Sequence, residues 1–205
     1  MTKRIQAKKK ISRKLGTSLW GQEKDPYLKR NYKPGQHGPT SRTRPTDYGV
    51  QLKAKQKLKF YYGNISEKQF RKIFKAATKI RGDASENFIG LLERRLDIII
   101  YRSNFVPTVF AARQFVNHKH VMVNGKVVNI PSYKIKPGDV VEIRDRSKNL
   151  NIVLESLQKM EREVPAYLEL DEKNKSVKYV NIPTFADVPY ATQMEPHLIV
   201  EFYSR

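Results

Sequence analysis

Apolar and polar residues alternate with a helical period through most of the middle of the chain, and with a strand period only in short runs beyond residue 120. The first clear pattern covers residues 47–62. Val50, Ala54, Leu58 and Tyr61 recur at i, i+4, i+8 and i+11, predicting a helix with one apolar stripe, while Lys53, Lys55, Lys57 and Lys59 cover its other sides. Gly63-Asn64 ends it. A second helix starts at Ser66, whose hydroxyl is placed to cap while Gln69 reaches back. Phe70, Ile73, Phe74 and Ala77 form its core face, and Lys68, Arg71, Lys72, Lys75 and Lys79 point elsewhere.

Asp83 and Glu86 repeat the capping-box spacing and predict one helix running to about Arg102, with Phe88, Leu92, Leu96 and Ile99 inside and Leu91 and Arg95 beside them. After the connection Phe105-Val106-Pro107-Thr108, residues 109–118 read as a helix that buries Val109, Ala112, Phe115 and Val116 and turns Arg113 and Asn117 outward. Val121-Met122-Val123 and Lys126-Val127-Val128 flank Asn124-Gly125, the signature of a two-residue hairpin. Pro137-Gly138-Asp139 is a tight turn into a strand over residues 140–144. A helix with Ile152, Leu154, Leu157 and Met160 follows, and then strand-like runs at residues 166–170, 176–180 and 198–202. Val50, Phe70, Phe74, Leu92, Leu96, Phe115 and Val140 are assigned to the core. The class is α+β.

Residues 1–45 show little periodicity. Basic pairs and triplets alternate there with Gly16, Gly21, Pro34, Gly35, Gly38, Pro39 and Pro45. This stretch reads as a poorly cored, extended basic arm ahead of a folded body. Within it, Pro34-Gly35-Gln36-His37-Gly38 is a loop whose glycines either let backbone N–H groups approach a phosphate or serve an ordinary surface turn.

Charge changes the picture. The 205 residues carry a net +20, and residues 1–100 hold 25 Lys or Arg against 8 Asp or Glu, whereas residues 151–205 hold 6 against 9. So polarised a charge repels itself unless a polyanion neutralises it, and nucleic acid does so with release of condensed counterions. The acidic-to-neutral tail is suited to closing the fold or meeting another protein. There is no cysteine, which excludes disulfides, thiolate metal sites and cysteine nucleophiles. No apolar run is long enough to span a bilayer. Residues 1–20 are basic, contain Ser12 and Ser18 and have no acid before Glu23, a composition open to two readings: a transit peptide or a retained basic arm.

Catalytic chemistry finds little footing. His118 and His120 lie two positions apart, but residues 102–138 contain no carboxylate to complete or orient a metal site. Asp97 is better explained as an ion pair with Arg94 or with a base on a packed neighbour than as a catalytic acid. No phosphate-binding Gly-rich loop and no nucleophile with supporting context occurs. The chain is read as no enzyme, with no cofactor and no metal. A DNA-reading helix-turn-helix within residues 86–118 would present Arg113, Gln114 and Asn117, yet the basic arm and two basic helices exceed the needs of one half-site, which favours RNA.

The block from Leu91-Leu92-Glu93-Arg94-Arg95-Leu96-Asp97 through Phe110-Ala111-Ala112-Arg113-Gln114-Phe115-Val116, Val123-Asn124-Gly125-Lys126, and Ile130-Pro131-Ser132-Tyr133 through Pro137-Gly138-Asp139 resembles the helix–helix–β RNA-binding domain named after ribosomal protein S-four. Asp47-Tyr48-Gly49-Val50-Gln51-Leu52, Tyr62-Gly63, Pro34-Gly35-Gln36-His37-Gly38 and Glu195-Pro196-His197-Leu198-Ile199-Val200-Glu201-Phe202-Tyr203-Ser204 extend the resemblance over essentially the whole chain, to the bacterial-type small-subunit ribosomal protein S-four family. Ile11-Ser12-Arg13-Lys14-Leu15-Gly16 resembles the mature start of that family, which favours the retained arm.

The resemblance implies four segments: a basic extended arm (1–45), a helical N-terminal body (46–90), the S-four-type RNA-binding domain (91–150), and a C-terminal helix with short strands closing the body (151–205). It implies a primary binder of the 5′ domain of 16S-type rRNA that nucleates small-subunit assembly. It further implies a neighbouring ribosomal protein, S-five, through which accuracy is tuned, contact with mRNA where it enters the ribosome, and in some bacteria repression of the protein's own operon. The expected location is the small subunit of a cytoplasmic rather than organellar ribosome, with no membrane. Some relatives bind zinc through cysteines in the arm; here His37 alone cannot, so the arm is expected to be ordered by RNA and disordered without it.

The expected RNA contacts are Lys8, Lys9, Lys10, Arg13, Lys14, Gln36, His37, Arg42 and Arg44 in the arm, and Lys53, Lys55, Lys57 and Lys59 in the first helix. In the small domain they are Arg94, Arg113, His118, Lys119, Asn124 and Lys126, with His118 beside the RNA-facing helix end. Trp20 and Tyr32 are open to stacking on a base or packing on a neighbour.

Overall fold

The computed structural model describes residues 8–41 and 44–204; of Lys8 and Lys9 it describes the backbone. The expected contact Arg42 and the side chains of Lys8 and Lys9 therefore lie outside the described residues. The helices are α1 (Lys8–Leu15), α2 (Pro26–Lys29), α3 (Asp47–Tyr61), α4 (Glu67–Ala77), α5 (Ala84–Glu93), α6 (Leu96–Arg102), α7 (Val109–Asn117), α8 (Asn151–Lys159) and α9 (Pro196–Ser204). The strands are β1 (Val121–Val123), β2 (Lys126–Val127), β3 (Val140–Ile143), β4 (Leu168–Asp171) and β5 (Ser176–Tyr179). The chain forms two compact units, one of Met1–Arg71 with Tyr190–Arg205 and one of Lys72–Pro189.

In the first unit the arm is not extended throughout. Ile11, Leu15 and Leu19, spaced by four, are all buried, and α1 carries the first two. Three apolar residues diluted among bases give a weak period in the sequence, but they suffice to seat one helical turn after another against α3. Thr46 caps α3, its hydroxyl accepting from Gly49 N–H at 3.2 Å. Gly63 and Asn64 end it, both at positive φ.

The buried face of α3 differs from the expected stripe: Gln51, Ala54, Lys55, Leu58 and Tyr61 are inside, and Val50, assigned to the core, is 38% exposed. The reason lies in α9, which packs along α3. Gln51 Nε2 donates to Glu201 Oε2 at 2.9 Å, and Lys55 Nζ sits 4.2 Å from the Phe202 ring centroid, so the face is rotated toward the C-terminal helix. That helix corrects the strand expected at residues 198–202. Pro196 takes the first helical position, and Ile199, Phe202 and Tyr203 fall at i, i+3 and i+4 on one face.

The second unit is built on a five-stranded antiparallel sheet of order β2-β1-β3-β5-β4. Asn124 and Gly125 both adopt positive φ, 48° and 75°, as the two-residue turn between β1 and β2 demands. Strand β3 buries Val141 and Ile143. Val140, expected in the core, is 37% exposed, because Val141 and Ile143 take the buried face and the alternation along the strand puts Val140 on the other. The sheet runs through both of the stretches 91–150 and 151–205, since β5 pairs with β3.

The single helix expected to reach Arg102 is two. Arg95 is extended (φ −75°, ψ 137°) and bridges to Lys134. The N–H groups of Leu96 and Asp97 donate to the carbonyls of Tyr133 (2.9 Å) and Pro131 (3.1 Å), so the loop after β2 caps α6 where α5 stops. This break turns α6 onto α7, which starts at the Thr108 cap. Phe88, Leu92, Leu96, Ile99, Phe105, Val109, Ala112 and Val116 fill the core between helices and sheet.

Candidate nucleic-acid interface

In the second unit, the exposed cations gather where α7 ends and the hairpin begins. Asn117, His118 and Lys119 follow one another at the end of α7, all exposed. Lys126 stands at the hairpin, with Lys134 and Lys136 on the loop that caps α6. Exposed Val127, Ile130 and Tyr133 lie among them. Alternating cations and half-apolar surface of this kind suits a groove of RNA, where phosphates and sugars are met together. Lys134 and Lys136 are not among the contacts expected from the sequence, although they lie within the stretch 130–139 that carries the resemblance; the fold of the loop, tied through Ile135 to Arg94, brings them to this edge.

The expected contacts divide once their partners are known. Arg113, expected outward, is buried: its Nε and Nη2 donate to Asp97 Oδ2 at 3.3 and 3.2 Å. Arg95 donates to the same carboxylate, Nε to Oδ1 at 3.0 Å and Nη2 to Oδ2 at 2.7 Å. Asp97 thus pairs with Arg95 and, on the packed helix, Arg113, not with Arg94. Arg94 is half-buried and gives its Nε to the carbonyl of Ile135 at 2.8 Å, which ties the capping loop to the end of α5. Asn124 holds the domain together from the hairpin tip: Nδ2 donates to Asp139 Oδ1 and Oδ1 accepts from Val140 N–H, both at 2.9 Å.

His118 faces solvent with its ring centroid 6.0 Å from that of His120. His120 stacks on Phe115 at 4.7 Å and pairs Nδ1 with Ser147 Oγ at 2.8 Å. Burial, then the positive fields of His118, Arg146 and Arg144, hold the His120 ring below the ordinary imidazole pKa. Among the described residues no group of three His, Asp or Glu side chains is placed to hold a metal.

In the first unit, Lys10, Lys14, Gln36, His37, Arg44 and Lys53 are exposed. Arg13 is half-buried and donates to the carbonyls of Tyr32 (3.1 Å) and Lys33 (3.2 Å). The loop of Gly35 and Gly38 closes on itself: Gly38 N–H donates to Gly35 O at 3.1 Å, and a side chain at Gly38 would collide with the Lys33 carbonyl. That glycine serves the turn. Trp20 packs inside its unit and donates Nε1–H to Tyr61 O at 3.2 Å.

Three lysines of α3 are committed to protein. Lys57 reaches the Gln193 carbonyl, and burial pulls its pKa below the ordinary value. Lys55 (3.0 Å) and Lys59 (3.2 Å) pair with Glu67, which also accepts from the Tyr203 hydroxyl at 2.7 Å. Burial raises the Glu67 pKa, but the hydrogen bonds from Tyr203, Lys55 and Lys59 outweigh it and hold the carboxyl at about 2. A carboxyl depressed in the folded state from 4.5 to about 2 stabilises that state above pH 4.5 and loses this contribution as pH falls toward 2. With Glu67 nearly half exposed, the effect is about 1 kcal/mol after screening. Glu67→Gln is expected to flatten the acid limb of urea-unfolding midpoints between pH 4.5 and 2; an unchanged limb would place the titration elsewhere.

The second unit thus joins two helices, a tight hairpin and a cationic edge in the order typical of an S-four-domain RNA-binding protein. Residues 94–141 match the family described as S4 domain, and residues 3–93 match the Ribosomal protein S4/S9 N-terminal domain. Over all 205 residues the chain is 60% identical to the small ribosomal subunit protein uS4 of Nitrobacter winogradskyi, covering 100% of both chains. The same protein of Bartonella bacilliformis is 60% identical and that of Parvibaculum lavamentivorans 58%, again over 100% of each. The chain belongs to the ribosomal protein S-four family.

Proposed function

We propose that the chain is a structural constituent of the small ribosomal subunit in the cytoplasm and binds the 5′ domain of 16S-type rRNA early in assembly, without an enzymatic role. The observation that carries this reading is the edge of the S-four domain. Lys119, Lys126, Lys134 and Lys136 are exposed there, and the acid beside them, Asp139, has its two carboxylate oxygens engaged by Asn124 Nδ2 and the Lys136 N–H. Cations spread over a folded edge meet phosphates at fixed spacing, so they select a shape while counterion release supplies affinity. Exposed Lys10, Lys14, Arg44 and Lys53 add phosphate contacts from the first unit. The family resemblance supports S-five as a protein neighbour, a share in translational accuracy and contact with mRNA where it enters the subunit.

The test is competition binding to a small-subunit 5′-domain RNA against equal lengths of duplex DNA and unrelated structured RNA across a salt titration. A preference for the 5′-domain RNA that survives raised salt is expected. Equal affinity for all three, collapsing together as salt rises, would leave a merely basic protein.

A further inference from the structure

The first unit holds a groove that shares only Arg13 with the contacts above. It encloses about 530 Å³ and is lined by Arg13, Glu23, Lys24, Asp25, Lys29 and Arg30, a volume within the ~300–1,000 Å³ range of small-ligand sites. Its exposed charge is mostly positive. Asp25 is buried, accepting from Tyr27 N–H at 2.9 Å and from the Ser18 hydroxyl at 3.3 Å. Lys24, Lys29 and Arg30 are exposed, and among the described residues no ion pair engages their side chains. Glu23 is the one exposed acid of the lining.

Arg13 links this groove to an aromatic ring. Its guanidinium carbon lies 4.8 Å from the Tyr32 ring centroid, and its two hydrogen bonds to the Tyr32 and Lys33 carbonyls fix it there. The Tyr32 ring is therefore backed by a pinned cation while remaining 38% exposed. An aromatic held in place loses little freedom when a base stacks on it, and any base offers a π-face.

We propose that Tyr32, backed by Arg13, stacks an unpaired RNA base, and that Lys24, Lys29 and Arg30 take the phosphates flanking it. The ligand class is a single-stranded nucleotide recognised with little sequence preference. This rests on the RNA-binding reading above and deepens it, adding a stacking site to a surface otherwise made of charge.

The experiment uses the full chain and 5′-domain RNA in salt titrations of wild type, Tyr32→Leu, Tyr32→Phe and the double variant Lys29→Ala, Arg30→Ala. Tyr32→Leu removes no charge, so it is expected to weaken binding by about fivefold or more, the lower end of one lost base stack, with the salt slope unchanged. Tyr32→Phe keeps the ring and is expected to bind as wild type does. The double variant is expected to lower the salt slope by about 1.4, two single-strand phosphate contacts. Wild-type binding with Tyr32→Leu equally tight overturns the stacking site and leaves the RNA-binding reading standing. Wild type that shows no preference for the 5′-domain RNA overturns both.

Discussion

Asp97→Ala is expected to destabilise the Lys72–Pro189 unit by about 3–5 kcal/mol, the cost of leaving buried charge without its partner. Asp97 has no exposed side-chain surface, and the guanidiniums beside it, Arg95 and Arg113, are nearly as inaccessible. Both guanidiniums donate to the one carboxylate. Removing the acid leaves both arginines to repel each other across the contact of α6 with α7, which carries the end of α7 and His118. The triple change of Asp97, Arg95 and Arg113 to apolar residues of similar volume is expected to restore much of the loss, because a buried ion cluster is replaceable by packing where a broken one is not. Urea unfolding of the three proteins decides this. An Asp97→Ala protein within about 1 kcal/mol of wild type would mean that water reaches the cluster and that it does not hold the helices together.

The second large effect is expected on RNA affinity. Changing Lys119, Lys126, Lys134 and Lys136 together to Gln should weaken binding to 5′-domain RNA by roughly a hundredfold at moderate salt, and lower the salt slope by up to about 3.6 if each meets a duplex phosphate. Fluorescence anisotropy across a salt series measures both quantities. The contrast matters as much as the loss. Lys55→Gln with Lys59→Gln removes two positive charges from the first unit, but both ammonium groups are held by Glu67. That pair of changes is expected to move the slope by less than about 0.5, well short of two lost phosphate contacts. A large slope change from the Glu67-bound lysines, and a small one from the loop lysines, would show that exposure does not sort these cations.

Much of this was legible in the residue pattern. The helix over α7, the Asn124-Gly125 hairpin, β3 and the helical stretch of α3 and α4 all stand where period, caps and turn residues place them. What the pattern missed had physical causes that act at a distance in sequence. Carbonyls of Pro131 and Tyr133 interrupt a helix some 35 residues earlier in the chain, and nothing local to Arg95 announces it. α9 rotates the buried face of α3, exposing Val50 and covering Lys55, through contacts spanning up to 150 positions. Its own apolar run, residues 198–202, is compatible with strand or helix until a partner selects the 3.6-residue period.

Of the interface, the type of residue was legible and its commitment was not. Arg113 and Lys126 read alike as bases near turns or helix ends, yet one is buried against Asp97 and the other stands in solvent. A lone charge in sequence does not reveal whether a carboxylate from another element will reach it. The arm shows the reverse case. Arg13 was legible as a cation, but its stacking on Tyr32, and hence the groove with Lys29 and Arg30, exists only once α1 and the following loop meet.

The proposed function requires this chain to recognise one region of small-subunit rRNA by shape. Its most direct test is hydroxyl-radical footprinting of full-length, protein-free 16S-type rRNA with and without the chain, near saturation and at physiological salt. Protection clustered within the 5′ domain, and lost when Lys119, Lys126, Lys134 and Lys136 are changed together, is the expected result. Weak protection scattered along the whole RNA, the same for wild type and variant, would contradict it.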